Sequence, residues 1–185
     1  MPFNTHQHIF LVTGGVQSGK TTFVNKLVER LWKDRLRVAG FLSEGTMMDG
    51  VRVGFTLVDL QSGRRIPLAS VEPVKGWTPF RRFYFNPEAW KKGETIIREG
   101  LLEDPHLIVI DEVGPLELQG AGWSAILDEL AAKRPAVQLW VVRKQCLQEV
   151  IETWDILPEH VFSLKIAGQD NMLDVLREKL RSLKS

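Results

Sequence analysis

Gly14-Gly15-Val16-Gln17-Ser18-Gly19-Lys20-Thr21 is the stretch that most limits what this chain can fold into. It fits the pattern G-x-x-x-x-G-K-[ST], and its neighbours complete a unit. The run "HIFLVT" before it is short and apolar and ends in glycines, as a buried strand does. In "KTTFVNKLVERLWKDRL" after it, Phe23, Val24, Leu27, Leu31 and Trp32 recur at helical spacing. A strand, a glycine loop and a helix in that order aim backbone N–H groups and a helix N-terminus at one point in space. That arrangement suits an anion.

The residue types in the loop have separate reasons. Glycines at 14, 15 and 19 let the backbone curl inward with no Cβ in the way. Val16, Gln17 and Ser18 present N–H groups, and Lys20 has the reach for the β- and γ-phosphates of a nucleotide. The Thr21 hydroxyl is a hard oxygen suited to Mg²⁺, and Thr22 follows it at the start of the helix.

A second pattern lies about ninety residues on. "LIVIDEVG", Leu107 to Gly114, is an apolar strand that ends in two acids. The segment Ile110-Asp111-Glu112-Val113-Gly114 places carboxylates at a strand's C-terminal end, where open α/β sheets bind ligands. Asp111 is the expected Mg²⁺ partner of Thr21. Glu112, one residue on, is placed to orient or deprotonate a water. Arg143 and Lys144 end the strand "VQLWVV", and either could neutralise charge in the transition state. Lys20 and Glu112 are therefore the catalytic candidates, and Thr21 and Asp111 the metal candidates.

Elsewhere strands alternate with helices: "RVAGFLSEG", "AVQLWVVRK" and "HVFSLKI" read as strands, and "GWSAILDELAAKR", "CLQEVIETW" and "NMLDVLREKLRSLK" as helices. The expectation is an α/β fold with a mainly parallel central sheet flanked by helices. "VRVGFTLVDLQSGRRIPLA" alternates with period two around a turn, so an antiparallel hairpin insertion is expected at about 45–85. "RRFYFN" adds a short strand. "PEAWKKGETIIREGLLED" starts as a helix at Pro87, although Gly93 and Gly100 weaken it. With 185 residues and no linker, one domain spanning 1–185 is expected.

Composition narrows the function classes. A net charge of +1 gives no global field toward nucleic acid or an anionic membrane. No apolar stretch approaches the roughly 18 residues of a membrane span. Cys146 is the only cysteine and reads as a small buried residue. The opening "MPFNTHQHIFLVTGG" has no basic leader, so a cytoplasmic protein is expected. His6-x-His8 is the only histidine pair with ligand-like spacing, and it reads as incidental. "DEVG" also fits the D-x-x-G of switch GTPases, but the guanine signature N-K-x-D is missing: "NKLV" at Asn25 has Val28 in fourth place and sits in the helix after the loop.

Taken with "VAGFLSEG", the hairpin "GFTLVDLQSG…LAS" and "IVIDEVGPLEL", the loop "TGGVQSGKTT" resembles the archaeal and bacterial nucleoside-triphosphatase family related to a human cancer-related nucleoside-triphosphatase. The resemblance runs from about Ile9 to Val142. It implies a RecA-like P-loop fold and Mg²⁺-dependent hydrolysis of ATP, GTP and similar nucleotides with weak base preference. Two departures stand out. Pro115-Leu116-Glu117 replaces the usual Lys-Met-Glu, so the acid stays and the cation is lost. "RRFYFNPEAW" lacks the usual glycine before its tyrosine. Two rival readings are a nucleotide-binding adapter with little turnover and a small-molecule kinase. The adapter gains from the lost lysine. The kinase gains from the pairs Arg64-Arg65 and Arg81-Arg82, which otherwise read as solvated hairpin charges.

Overall fold

The computed structural model describes residues 8–164 and 169–182. Nine strands form one mixed sheet: β1 (Ile9–Gly14), β2 (Val38–Met48), β3 (Val51–Asp59), β4 (Arg65–Ser70), β5 (Thr78–Phe80), β6 (Phe83–Phe85), β7 (Leu107–Val113), β8 (Val137–Arg143) and β9 (Val161–Ser163). Their spatial order is β5-β6-β4-β3-β2-β7-β8-β1-β9. The half from β2 to β9 is parallel. The half from β2 out to β5 is antiparallel. The hairpin expected at 45–85 therefore extends the central sheet edgewise. β2 belongs to both halves, because its first residues pair with β7 and its later ones with β3.

The helices are α1 (Lys20–Lys33), α2 (Pro87–Leu102), α3 (Pro115–Leu118), α4 (Ser124–Lys133), α5 (Leu147–Trp154) and α6 (Gln169–Ser182). α1 buries Val24, Leu27, Val28 and Leu31, a stripe at 3–4 residue spacing, each worth roughly 1.5–3 kcal/mol. Trp32 lies off that stripe and is exposed. The stripe packs on Phe10, Val12, Val109, Leu139 and Val141, together with Leu173 and Leu176 of α6. Alternate residues of the same strands, Leu11, Ile108, Ile110, Trp140 and Val142, face the opposite way onto α2, α4 and α5. Two apolar layers on two faces of one sheet make the three-layer sandwich.

α2 begins as its sequence suggests: Pro87 is the first helical residue, and the Asn86 side chain accepts a hydrogen bond from the Glu88 N–H at 3.1 Å. Gly93 and Gly100, which spoke against a helix, are both buried in it. A Cβ at Gly93 would lie 2.5 Å from Trp123 Nε1, and one at Gly100 would lie 2.6 Å from the Ala39 Cβ. The glycines are there because the helix presses closely on its neighbours.

Candidate active site

The loop Gly15–Gly19 joins β1 to α1 as expected. Gly19 has φ 81°, in the left-handed region that favours glycine, and it caps α1. A Cβ at Gly14 would lie 2.6 Å from Ser18 Oγ, so the loop closes on itself there. Lys20 Nζ donates to the carbonyls of Gly14 at 3.2 Å and Gly15 at 2.9 Å. Burial lowers its pKa, while the nearby Glu112 and Asp111 carboxylates act the other way.

β7 brings the acids to the loop. The Thr21 hydroxyl donates to Asp111 Oδ2 at 2.8 Å, and the Ser43 N–H donates to the same oxygen at 3.1 Å. The other oxygen, Asp111 Oδ1, is buried and has no partner. Burial, with Glu112 adding repulsion, raises the Asp111 pKa to about 7. A fully buried carboxylate with one orphaned oxygen beside a hydroxyl is a donor set of hard oxygens suited to a cation. That fits Mg²⁺, which takes one or two protein oxygens and completes its shell with water and phosphate. No cluster of three or more His, Cys, Asp and Glu occurs among the described residues, and this kind of site requires none. His6, and with it the His6-x-His8 pair, lies outside the described residues.

A bulge in β7 aims Glu112. Ile110 pairs with Trp140 and Val113 with Val142, so three steps on β7 match two on β8. Glu112 absorbs the extra residue at φ 71°, an unusual value for a side-chain-bearing residue. Its carboxylate meets Arg143, with Nε donating to Oε2 at 2.8 Å. Arg143 sits at the end of β8 opposite Gly14 of β1, beside the phosphate loop. Lys144 opens the 3₁₀ turn Lys144–Cys146 that follows and lines the same cleft. Ile110 and Val113 contribute no side chain to the cleft: strand alternation and the bulge turn both into the core.

Two adjoining clefts, of about 490 and 580 Å³, flank the loop. Gln17, Ser18, Gly19, Lys20, Thr21 and Thr22 line one, and Gly14, Gly15, Val16, Arg143 and Lys144 the other. Gln17, Lys20, Glu112 and Arg52 line both. The sequence reading missed Arg52. The pairings Thr46–Gly54 and Met47–Arg52 mark a bulge in β3, and it brings Arg52 to the side of Phe55, whose ring lies 5.1 Å from the guanidinium. Arg52 Nε is buried without a partner. The signal for the bulge was Gly54 inside a strand pattern, where a Cβ would lie 2.4 Å from the Ala69 carbonyl.

Glu117, the acid kept in "DEVGPLEL", is buried and holds the segment after β7. Its Oε2 accepts the Gly114 N–H at 2.9 Å and its Oε1 the Trp123 N–H at 3.4 Å. Burial raises its pKa to about 7.

A family model described as NTPase matches residues 8–175. The chain belongs to this NTPase family. Nucleoside-triphosphatase THEP1 of Archaeoglobus fulgidus is 38% identical over 122 residues, which are 66% of this chain and 70% of the relative. The THEP1 of Methanothermobacter thermautotrophicus is 34% identical over 147 residues, 79% of this chain and 82% of the relative. Two solved structures share the fold. THEP1 of Aquifex aeolicus superposes with a TM-score of 0.72 at 22% identity, covering 93% of this chain and 98% of its own. A human cancer-related nucleoside triphosphatase superposes at 0.69 with 23% identity, covering 95% and 98%. Membership makes nucleoside-triphosphate hydrolysis the activity of this chain, and the P-loop α/β fold carries it. Among the described residues no helix is long and apolar enough to cross a membrane.

Proposed function

We propose that the chain, acting as one domain, hydrolyses ATP, GTP and related triphosphates with Mg²⁺ and weak base preference, and that Glu112 sets up the attacking water. The observation that carries this reading is the carboxylate pair at the β7 bulge. Asp111 points back to Thr21, while Glu112 points away to Arg143, so the two adjacent acids serve two sites.

Thr21 and Asp111 would hold the metal, which would supply neutralisation of the triphosphate's charge. The loop N–H groups bind the phosphate oxygens, and Lys20 exchanges its two loop carbonyls for them. Arg52, which lines both clefts, offers its guanidinium to the same oxygens. Glu112 orients a water on the far side of the γ-phosphate and takes its proton. Arg143, held on Glu112 at the mouth of the loop, stabilises charge on the departing phosphoryl group, with Lys144 behind it. We take one or both of these cations to serve in place of the lysine that the resemblance expects at position 115. The single thiol, Cys146, is buried and free, and we assign the chain to the reducing cytoplasm.

Phosphate release by the wild type, Lys20→Ala and Glu112→Gln, with and without Mg²⁺, tests the assignment. Both variants and the metal-free wild type are expected to fall far below the wild type with Mg²⁺. Equal rates across the set would overturn it.

A further inference from the structure

A cavity of about 370 Å³ lies beside the phosphate clefts, sharing Glu112 with both and Arg143 with the larger one. That volume is at the lower end of small-molecule sites. Its wall is apolar and largely aromatic: Phe55, Leu68, Phe83 and Phe85 from the antiparallel strands, Trp90 from α2, and Trp123. Phe85 and Trp90 stack at 5.6 Å with their planes 17° apart. Phe55 and Phe83 also line the larger phosphate cleft, whereas Leu68, Phe85, Trp90 and Trp123 line neither cleft, and hydrolysis as proposed above gives those four no role.

Two further cations line the cavity besides Arg143. Arg81 and Arg82 form the two-residue tip of the β5–β6 hairpin, between the paired Phe80 and Phe83. Arg81 has φ 54°, a conformation that tight hairpin tips usually give to glycine or asparagine. An arginine there accepts backbone strain, a feature that gathers at binding sites. Neither guanidinium is paired with a carboxylate among the described residues. Each lies over a phenylalanine ring, Arg81 at 5.6 Å from Phe80 and Arg82 at 4.8 Å from Phe83. The two acids on the cavity wall are already engaged, Glu112 by Arg143 and Glu117 by two backbone N–H groups.

We propose that this cavity binds a second small molecule, planar and apolar with one anionic group. Its ring lies against the aromatic wall and its anion on Arg81 and Arg82. The ligand's inner edge faces Glu112, the carboxylate that the phosphate clefts also present.

Two fluorescent probes, 1-anilinonaphthalene-8-sulfonate and the uncharged N-phenyl-1-naphthylamine, are titrated into the full chain. The wild type, Arg81→Ala and Leu116→Trp are compared, and a melting curve of each variant checks its folding. Leu116 lines the cavity, so the indole fills it. Saturable one-to-one binding is expected in the wild type, with the sulfonate about tenfold tighter. Arg81→Ala should lose that preference and keep the uncharged probe, and Leu116→Trp should lose both. Equal affinities in the wild type, no saturable binding, or a folded Leu116→Trp that binds as the wild type does would overturn the proposal.

Discussion

Arg143 Nε sits 2.8 Å from Glu112 Oε2, so the cation at the end of β8 holds the carboxylate at the bulge of β7. The side chains are 31% and 17% exposed, so solvent screens the pair only in part. On the proposed reading Arg143 has two tasks, to aim Glu112 and to meet transition-state charge. Arg143→Ala should lower kcat by about 10³-fold, within the range of cis arginines in phosphoryl transfer, with a much smaller change in KM. Arg143→Lys should recover part of that loss, because it keeps the charge without the Nε geometry. Steady-state phosphate release measures both.

Asp111 gives a stability prediction that separates metal from fold. Its unpartnered buried oxygen and its pKa of about 7 mean that the ionised form is held at a cost without a cation. Asp111→Asn should melt no lower than the wild type in a chelator. The wild type should gain roughly 2.7 kcal/mol from Mg²⁺ and a non-hydrolysable triphosphate at a hundred times the dissociation constant. The variant should lose most of the metal's share of that gain. Melting curves with and without Mg²⁺ check it.

Arg52 is expected to act on binding. Arg52→Ala should weaken triphosphate binding by about tenfold, as loss of a charge-assisted hydrogen bond does, and leave the melting temperature nearly unchanged. Titration calorimetry with a non-hydrolysable triphosphate measures it.

Glu117 sets a pH dependence. Its folded pKa of about 7 lies above the 4.5 of a free glutamate side chain. The folded state therefore keeps a proton that the unfolded state releases. Its contribution is full below the unfolded value and is lost as pH rises through about 7, by roughly 3 kcal/mol at 1.36 kcal/mol per unit. Glu117→Gln should flatten the fall in stability between pH 4.5 and 7, read by urea unfolding across that range.

The glycines of α2 make an opposite case to ordinary helix propensity. Glycine to alanine in a helix normally gains up to about 1 kcal/mol. Gly93→Ala and Gly100→Ala should instead destabilise by about 1–3 kcal/mol, because each Cβ enters Trp123 or Ala39. Thermal unfolding of each variant decides it.

The parts of the site that follow a local pattern were legible. Gly14 to Thr21 needs only a strand, a loop and a helix in sequence, and Asp111 needs only to end an apolar strand. Arg143 followed from its place at the end of β8. What depends on bulges was not legible. The direction of Glu112 and the inward face of Arg52 both come from one extra residue in a ladder, and an alternation pattern cannot locate that residue. Likewise the mixed sheet arises because β2 outruns β7 and pairs on with β3, a choice made by tertiary pairing. β5 escaped notice because it is three residues long and contains Pro79.

Single-turnover phosphate release from Glu112→Gln, saturated with Mg²⁺ and triphosphate, tests the role of that carboxylate most directly. Gln keeps the shape of the side chain and removes its basicity. The expected result is a loss of about 10²–10⁴-fold in rate with triphosphate affinity unchanged within a few-fold. A rate within about threefold of the wild type would contradict it and would leave water activation to another group.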